Sequence, residues 1–135
     1  MKTILAVDDN EHVREILIPM LEFWAEDQTF DVTIVEKTNG AEALAWVKAH
    51  TQPDMILLDV RMPIMGGAEF LRQAALLGFD FRPFTLLLTG YADDLEEHLG
   101  TDALLMKHLR KPFTAPELFT ALDKLMENVE LMMKS

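Results

Sequence analysis

Residues 55–63 read MILLDVRMP: four apolar residues run into an aspartate, and the chain leaves extended structure at a proline. A run without polar alternation marks a strand covered on both faces, as in a parallel sheet flanked by helices. Similar runs stand at 3–7 (TILAV), 32–35 (VTIV), 84–88 (FTLLL) and roughly 105–109 (LMKHL), separated by segments with helical spacing. Five strand-helix units predict an α/β fold, a doubly wound five-stranded parallel sheet with helices on both faces.

The remaining composition narrows the function. At 135 residues and 50% hydrophobic composition, the chain is expected to form one domain, residues 1–135, with a sizeable core. Twenty-three acidic against twelve basic residues give a net charge of −11, which repels nucleic acid and anionic lipid. No stretch approaches the roughly 20 apolar residues of a membrane span, and MKTILAVDDNE turns acidic too early for a signal peptide. A cytoplasmic location is expected. The absence of cysteine removes disulfides, thiolate metal sites and a cysteine nucleophile.

Helix starts are written locally. Asn10 and Asn39 stand where N-caps belong, and Thr114 with Glu117 forms a capping box ahead of Leu118 and Phe119. Pro19 inside the first helix predicts a kink. Segments 25–31 and 78–83 read as polar connections, and Trp24 and Trp46 as packing residues. The last helix, about 115–133, carries Leu118, Leu122, Leu125, Val129 and Met132 at heptad spacing. An ordinary amphipathic helix explains that pattern; its length also suggests a homodimer through this helix, or through the face it makes with segment 92–104.

Open parallel sheets bind ligands outside the carboxyl ends of their strands. Asp8 and Asp9 follow the first strand, Asp59 ends the third, Thr89 the fourth, and Lys111 follows the fifth. Three carboxylates at one edge repel one another unless a cation neutralises them, and hard oxygen donors suit Mg²⁺. Lys111, the Thr89 hydroxyl and nearby backbone N–H groups suit a phosphoryl group. Asp59, fixed beside a metal, is then a candidate nucleophile toward phosphorus. A lone aspartate at this place more often merely ends a strand and caps the turn; the constellation is what favours chemistry.

The segments AVDDN (6–10), NGAEAL (39–44), PDMILLDVRMPIMGG (53–67), LLLTGYA (86–92) and RKPF (110–113) resemble, in order and spacing, the receiver domains of two-component response regulators. That resemblance implies a flavodoxin-like fold like that of the chemotaxis receiver. It implies Asp59 as phosphoacceptor, Asp9 as direct Mg²⁺ ligand, Asp8 as ligand through water, and the Arg61 backbone carbonyl as a further ligand. Lys111 would pair with the phosphoryl oxygens, Thr89 would act as the switch, and Pro112 matches the family's cis-proline. Such a domain accepts a phosphoryl group from a histidine kinase or histidine phosphotransfer protein and is not an enzyme beyond its own phosphorylation and dephosphorylation.

The departures matter too. His108 stands where the family has an aromatic switch residue, so either protonation-coupled switching or a plain surface histidine is expected there. Arg61 and Tyr91 occupy the two positions overhanging the site, and their bulk predicts slow self-dephosphorylation. Segment 92–104 begins as an acidic helix, and LLMK (104–107) replaces the family's small-residue turn. His12, His50 and His98 show no ligand spacing. Two rivals remain. One is an interaction domain that works without phosphorylation. The other is a Mg²⁺-dependent aspartyl-phosphate phosphatase of the haloacid dehalogenase type, disfavoured because Arg61 stands where its general acid belongs.

Overall fold

The computed structural model describes residues 1–50, 52–90, 100 and 106–134. Five strands form one parallel sheet in the order β2-β1-β3-β4-β5. They are β1 (Lys2–Val7), β2 (Val32–Lys37), β3 (Met55–Asp59), β4 (Thr85–Thr89) and β5 (Lys107–Arg110). The described helices are α1 (Glu11–Glu26), α2 (Gly40–Ala49), α3 (Gly67–Leu76) and α4 (Ala115–Lys134), with a 3-10 turn at Arg82–Phe84.

Two cores sandwich the sheet. On one face Leu17, Leu21 and Trp24 of α1 meet Leu118, Leu122, Leu125 and Val129 of α4 over Ile4, Leu57 and Leu86. On the other, Ala43 and Val47 of α2 and Phe70 and Ala74 of α3 pack over Leu5, Ile56 and Leu87. Every residue of β3 and β4 is buried, as their apolar runs predict. The edge strands differ: β2 (VTIVEK) and β5, which runs over Lys107–Arg110 (KHLR) rather than the apolar 105–109, carry more polar residues, lack a neighbour on one side, and are only partly buried.

The caps form as expected. Asn10 Oδ1 accepts from the N–H groups of His12 and Val13, and Asn39 Oδ1 from that of Glu42. Thr114 Oγ1 accepts from Glu117 N–H, while Glu117 Oε1 accepts from Thr114 N–H and Oγ1–H. Helix α1 continues through Pro19, which lies on its exposed side. Trp24 is buried and donates from Nε1 to Asp123 Oδ1 at 2.9 Å, tying α1 to α4. Trp46 is half-buried and stacks on His50, which also contacts the Trp46 carbonyl through Nδ1.

The heptad seam of α4 is used internally. Leu118, Leu122, Leu125 and Val129 are buried against their own sheet, and only Met132 of the five is half exposed. Met106 of the LLMK segment is likewise buried. The rest of segment 91–105, apart from Gly100, lies outside the described residues, Tyr91 and His98 among them.

Candidate active site

Between β1 and β3 the strand order reverses, and the carboxyl ends of both strands open onto one cleft. Asp8 follows β1 and is fully buried; Asp59 closes β3 and is 6% exposed; Asp9 is exposed at the rim. The three carboxylates offer oxygens that all lie within 4.8 Å of one another. Lys111, carried past β5 by the sheet register Thr89↔Arg110, reaches back to them. Its Nζ lies 2.6 Å from Asp8 Oδ2 and 3.5 Å from Asp59 Oδ1.

Each position has a local cause. Asp8 Oδ1 accepts from Asn10 N–H at 2.9 Å, so the side chain folds over its own turn before α1 begins. Asp59 is fixed by β3, paired with β1 and β4, and by Val60 N–H donating to the Leu88 carbonyl. Gly67 opens α3 directly behind it: a Cβ there would stand 2.6 Å from the Asp59 carbonyl oxygen, so only glycine allows the approach. Lys111 N–H donates to the Thr89 carbonyl at 2.7 Å, and the Lys111–Pro112 peptide is cis.

The charge balance is unfavourable as it stands. Burial and then the neighbouring Asp8 push the Asp59 carboxyl up from its ordinary 3.8 to about 7, against the pull of Lys111. Asp8 Oδ2 is buried, with the Lys111 ammonium 2.6 Å away. One ammonium for three carboxylates leaves a deficit that a divalent cation with oxygen ligands fits. The residues present therefore suit Mg²⁺.

Thr89 is buried at the end of β4, on the strand adjoining Asp59. Arg61 is exposed on the loop after β3. His108 is exposed on β5, beside a groove of about 650 Å³ shared with Lys107, Pro116, Thr120 and Lys124. It lies one strand over and two residues back from Thr89, opposite Leu87. His12 is exposed, with Nδ1 3.6 Å from Glu15 Oε2.

Two features are not foreseen from motif spacing. Arg14 donates from Nη1 to the carbonyl of Asp8. It is the sole Lys or Arg in α1, close to the helix N-terminus where the macrodipole disfavours a cation, and that misfit is the signal that marks it. Ile64, in the loop after Asp59, has φ +70° with its side chain 85% exposed.

A doubly wound sheet whose switch-point cleft holds an acidic triad and a lysine defines a flavodoxin-like receiver fold. The chain belongs to the response regulator receiver domain family, which it matches over residues 4–123. Such domains are the phosphoacceptors of two-component systems. Response regulator MprA of Mycobacterium leprae is 38% identical over 94% of this chain and 52% of its own length. The Mycobacterium ulcerans counterpart is 35% identical over 95% and 51%. The chain thus spans about half the length of these curated relatives. Among solved structures, response regulator TrrA of Thermotoga maritima, in complex with Mg²⁺-BeF, aligns with a TM-score of 0.72 and 29% identity over 93% of this chain and 99% of its own. Chemotaxis protein CheY4 of Vibrio cholerae gives a TM-score of 0.71 and 28% identity over 93% and 98%. No described helix is long and apolar enough to cross a membrane.

Proposed function

We propose that residues 1–135 act as one cytoplasmic receiver domain that takes a phosphoryl group from phosphohistidine onto Asp59. The observation that carries this reading is the convergence of Asp8, Asp9, Asp59 and Lys111 at the switch point, with Asp59 buried and raised in pKa for want of a cation. Asp8, Asp9, Asp59 and the Arg61 carbonyl would hold Mg²⁺, which when bound would neutralise the carboxylates and the phosphoryl oxygens. An Asp59 carboxylate oxygen attacks phosphorus in line. The P–N bond to the donor imidazole breaks, and the leaving nitrogen takes up a proton. Lys111 then exchanges Asp8 for the phosphoryl oxygens. Thr89 turns its hydroxyl toward them and carries the change along β4. The donor is a histidine kinase or a histidine phosphotransfer protein.

The signal leaves through the β5 and α4 face, where His108 borders the groove. Replacing His108 by Ala and by Tyr alters the coupling between phosphorylation and partner affinity; identical coupling in both would sink this role. Arg61 and Tyr91 slow hydrolysis of the phosphoaspartate, so their double Ala variant shortens its lifetime. With the α4 seam buried, any homodimer uses the exposed β5 and α4 groove rather than the heptad stripe, and sedimentation with and without phosphorylation reads it out.

The central test is intact-protein mass spectrometry after incubation with acetyl phosphate and Mg²⁺. One labile phosphoryl group is expected, lost in Asp59→Asn and with chelator. No gain from acetyl phosphate or any histidine kinase would favour an interaction domain working without phosphorylation.

A further inference from the structure

The turn that joins the two N-terminal carboxylates is held from outside the site. Asp8 N–H donates to the Lys37 carbonyl, Asp8 Oδ1 accepts from Asn10 N–H, and the Asp8 carbonyl accepts from Arg14 Nη1 at 2.6 Å. The first joins backbone to backbone and the second a backbone N–H to the Asp8 carboxylate, as in any Asx turn at a strand end. The third comes from a side chain brought by α1. Arg14 is braced at its other edge, with Nε 3.5 Å from Glu36 Oε1 at the end of β2. Its side chain is 15% exposed, against 50% for Glu36.

A cation so enclosed, near the positive end of a helix, is retained against desolvation and the macrodipole alike. What it touches accounts for it. The peptide is planar, so pinning the Asp8 carbonyl also fixes the Asp9 N–H and limits ψ of Asp8 and φ of Asp9. Those torsions set the direction in which Asp9 leaves the turn relative to Asp8. The planar guanidinium, with Glu36 beside its Nε, meets the Asp8 carbonyl directly.

We propose that Arg14 is a positioning residue of the metal site, clamping the Asp8–Asp9 peptide between α1 and β2 so that the two carboxylates converge with Asp59. The proposal rests on the reading of these carboxylates as a Mg²⁺ site. Charge and position here have opposite signs. If Arg14 acted only as a neighbouring positive charge, its removal would make the cleft more negative and tighten Mg²⁺ binding. As a clamp, its removal loosens the ligands and weakens binding.

The test is isothermal titration of the full chain with Mg²⁺ for wild type, Arg14→Gln and Arg14→Lys, with melting temperatures in EDTA alongside. We expect Arg14→Gln to bind roughly 10- to 100-fold more weakly, the range for groups that orient metal ligands. Arg14→Lys, which keeps the charge but not the fork, falls between. Unchanged or tighter binding by both variants overturns the clamp, as does a lower melting temperature with a wild-type dissociation constant, which would mark a merely structural role. If Arg14→Gln does not fold in EDTA, Arg14→Lys carries the test alone, and wild-type affinity there overturns the clamp. Failure of wild type itself to bind Mg²⁺ is a separate outcome that refutes the metal site.

Discussion

Replacing Asp59 by Asn should stabilise the metal-free protein while abolishing its phosphorylation. Asp59 is buried, with its side chain 9% exposed, and burial together with Asp8 raises its carboxyl from 3.8 to about 7. Because the folded value lies above the unfolded one, the protonated acid favours folding. Its contribution is whole below about pH 4 and is lost as pH rises through about 7. The gap corresponds to a ceiling of roughly 4 kcal/mol, at about 1.4 kcal/mol per pH unit. An asparagine mimics the neutral acid in shape and has no such loss. Urea unfolding in EDTA should therefore show Asp59→Asn exceeding wild type by roughly 2 to 4 kcal/mol at pH 8, with the difference shrinking toward zero near pH 4. Parallel stability curves for the two proteins across that range would refute the assignment of strain to this carboxylate.

Mg²⁺ added at pH 8 should restore much of the wild-type deficit while helping Asp59→Asn less. Mg²⁺ affinity of wild type should rise with pH through about 7, with proton release measurable by titration in buffers of different ionisation enthalpy. Ile64→Asn should raise stability by about 1 kcal/mol, since a β-branched residue at φ +70° is strained and its exposed side chain packs little; no gain in denaturant midpoint would contradict this. Gly67→Ala should cost about 1–3 kcal/mol and slow phosphorylation, because the new methyl meets the Asp59 carbonyl oxygen; unchanged unfolding would show that α3 gives way freely.

Much of this molecule is legible along the chain. The apolar runs ending on Asp59 and Thr89 mark buried parallel strands, and Asn10, Asn39 and Thr114 mark helix starts, because burial of a strand and capping of a helix depend on residues a few places apart. The positions of Asp8, Asp9, Asp59 and Lys111 at strand ends follow from that pattern and the chirality of parallel crossovers. Other facts depend on pairings across tens of residues. Strand β3 is fully buried while β2 and β5 are partly exposed, and sheet order is what places those two at the edges. The heptad pattern of α4 fits either a partner helix or its own sheet, and tertiary packing assigned four of its residues to the sheet.

Residue order and spacing are thus enough to specify the α/β class, the acidic edge and the lysine that serves it. Packing across the sheet is what sets Lys111 nearer Asp8 than Asp59 and brings Arg14 onto the Asp8 carbonyl. Spacing brings residue types to the same edge of a sheet, but the charge and hydrogen-bond partners of each side chain depend on distances of a few ångströms, set jointly by strand pairing and helix packing.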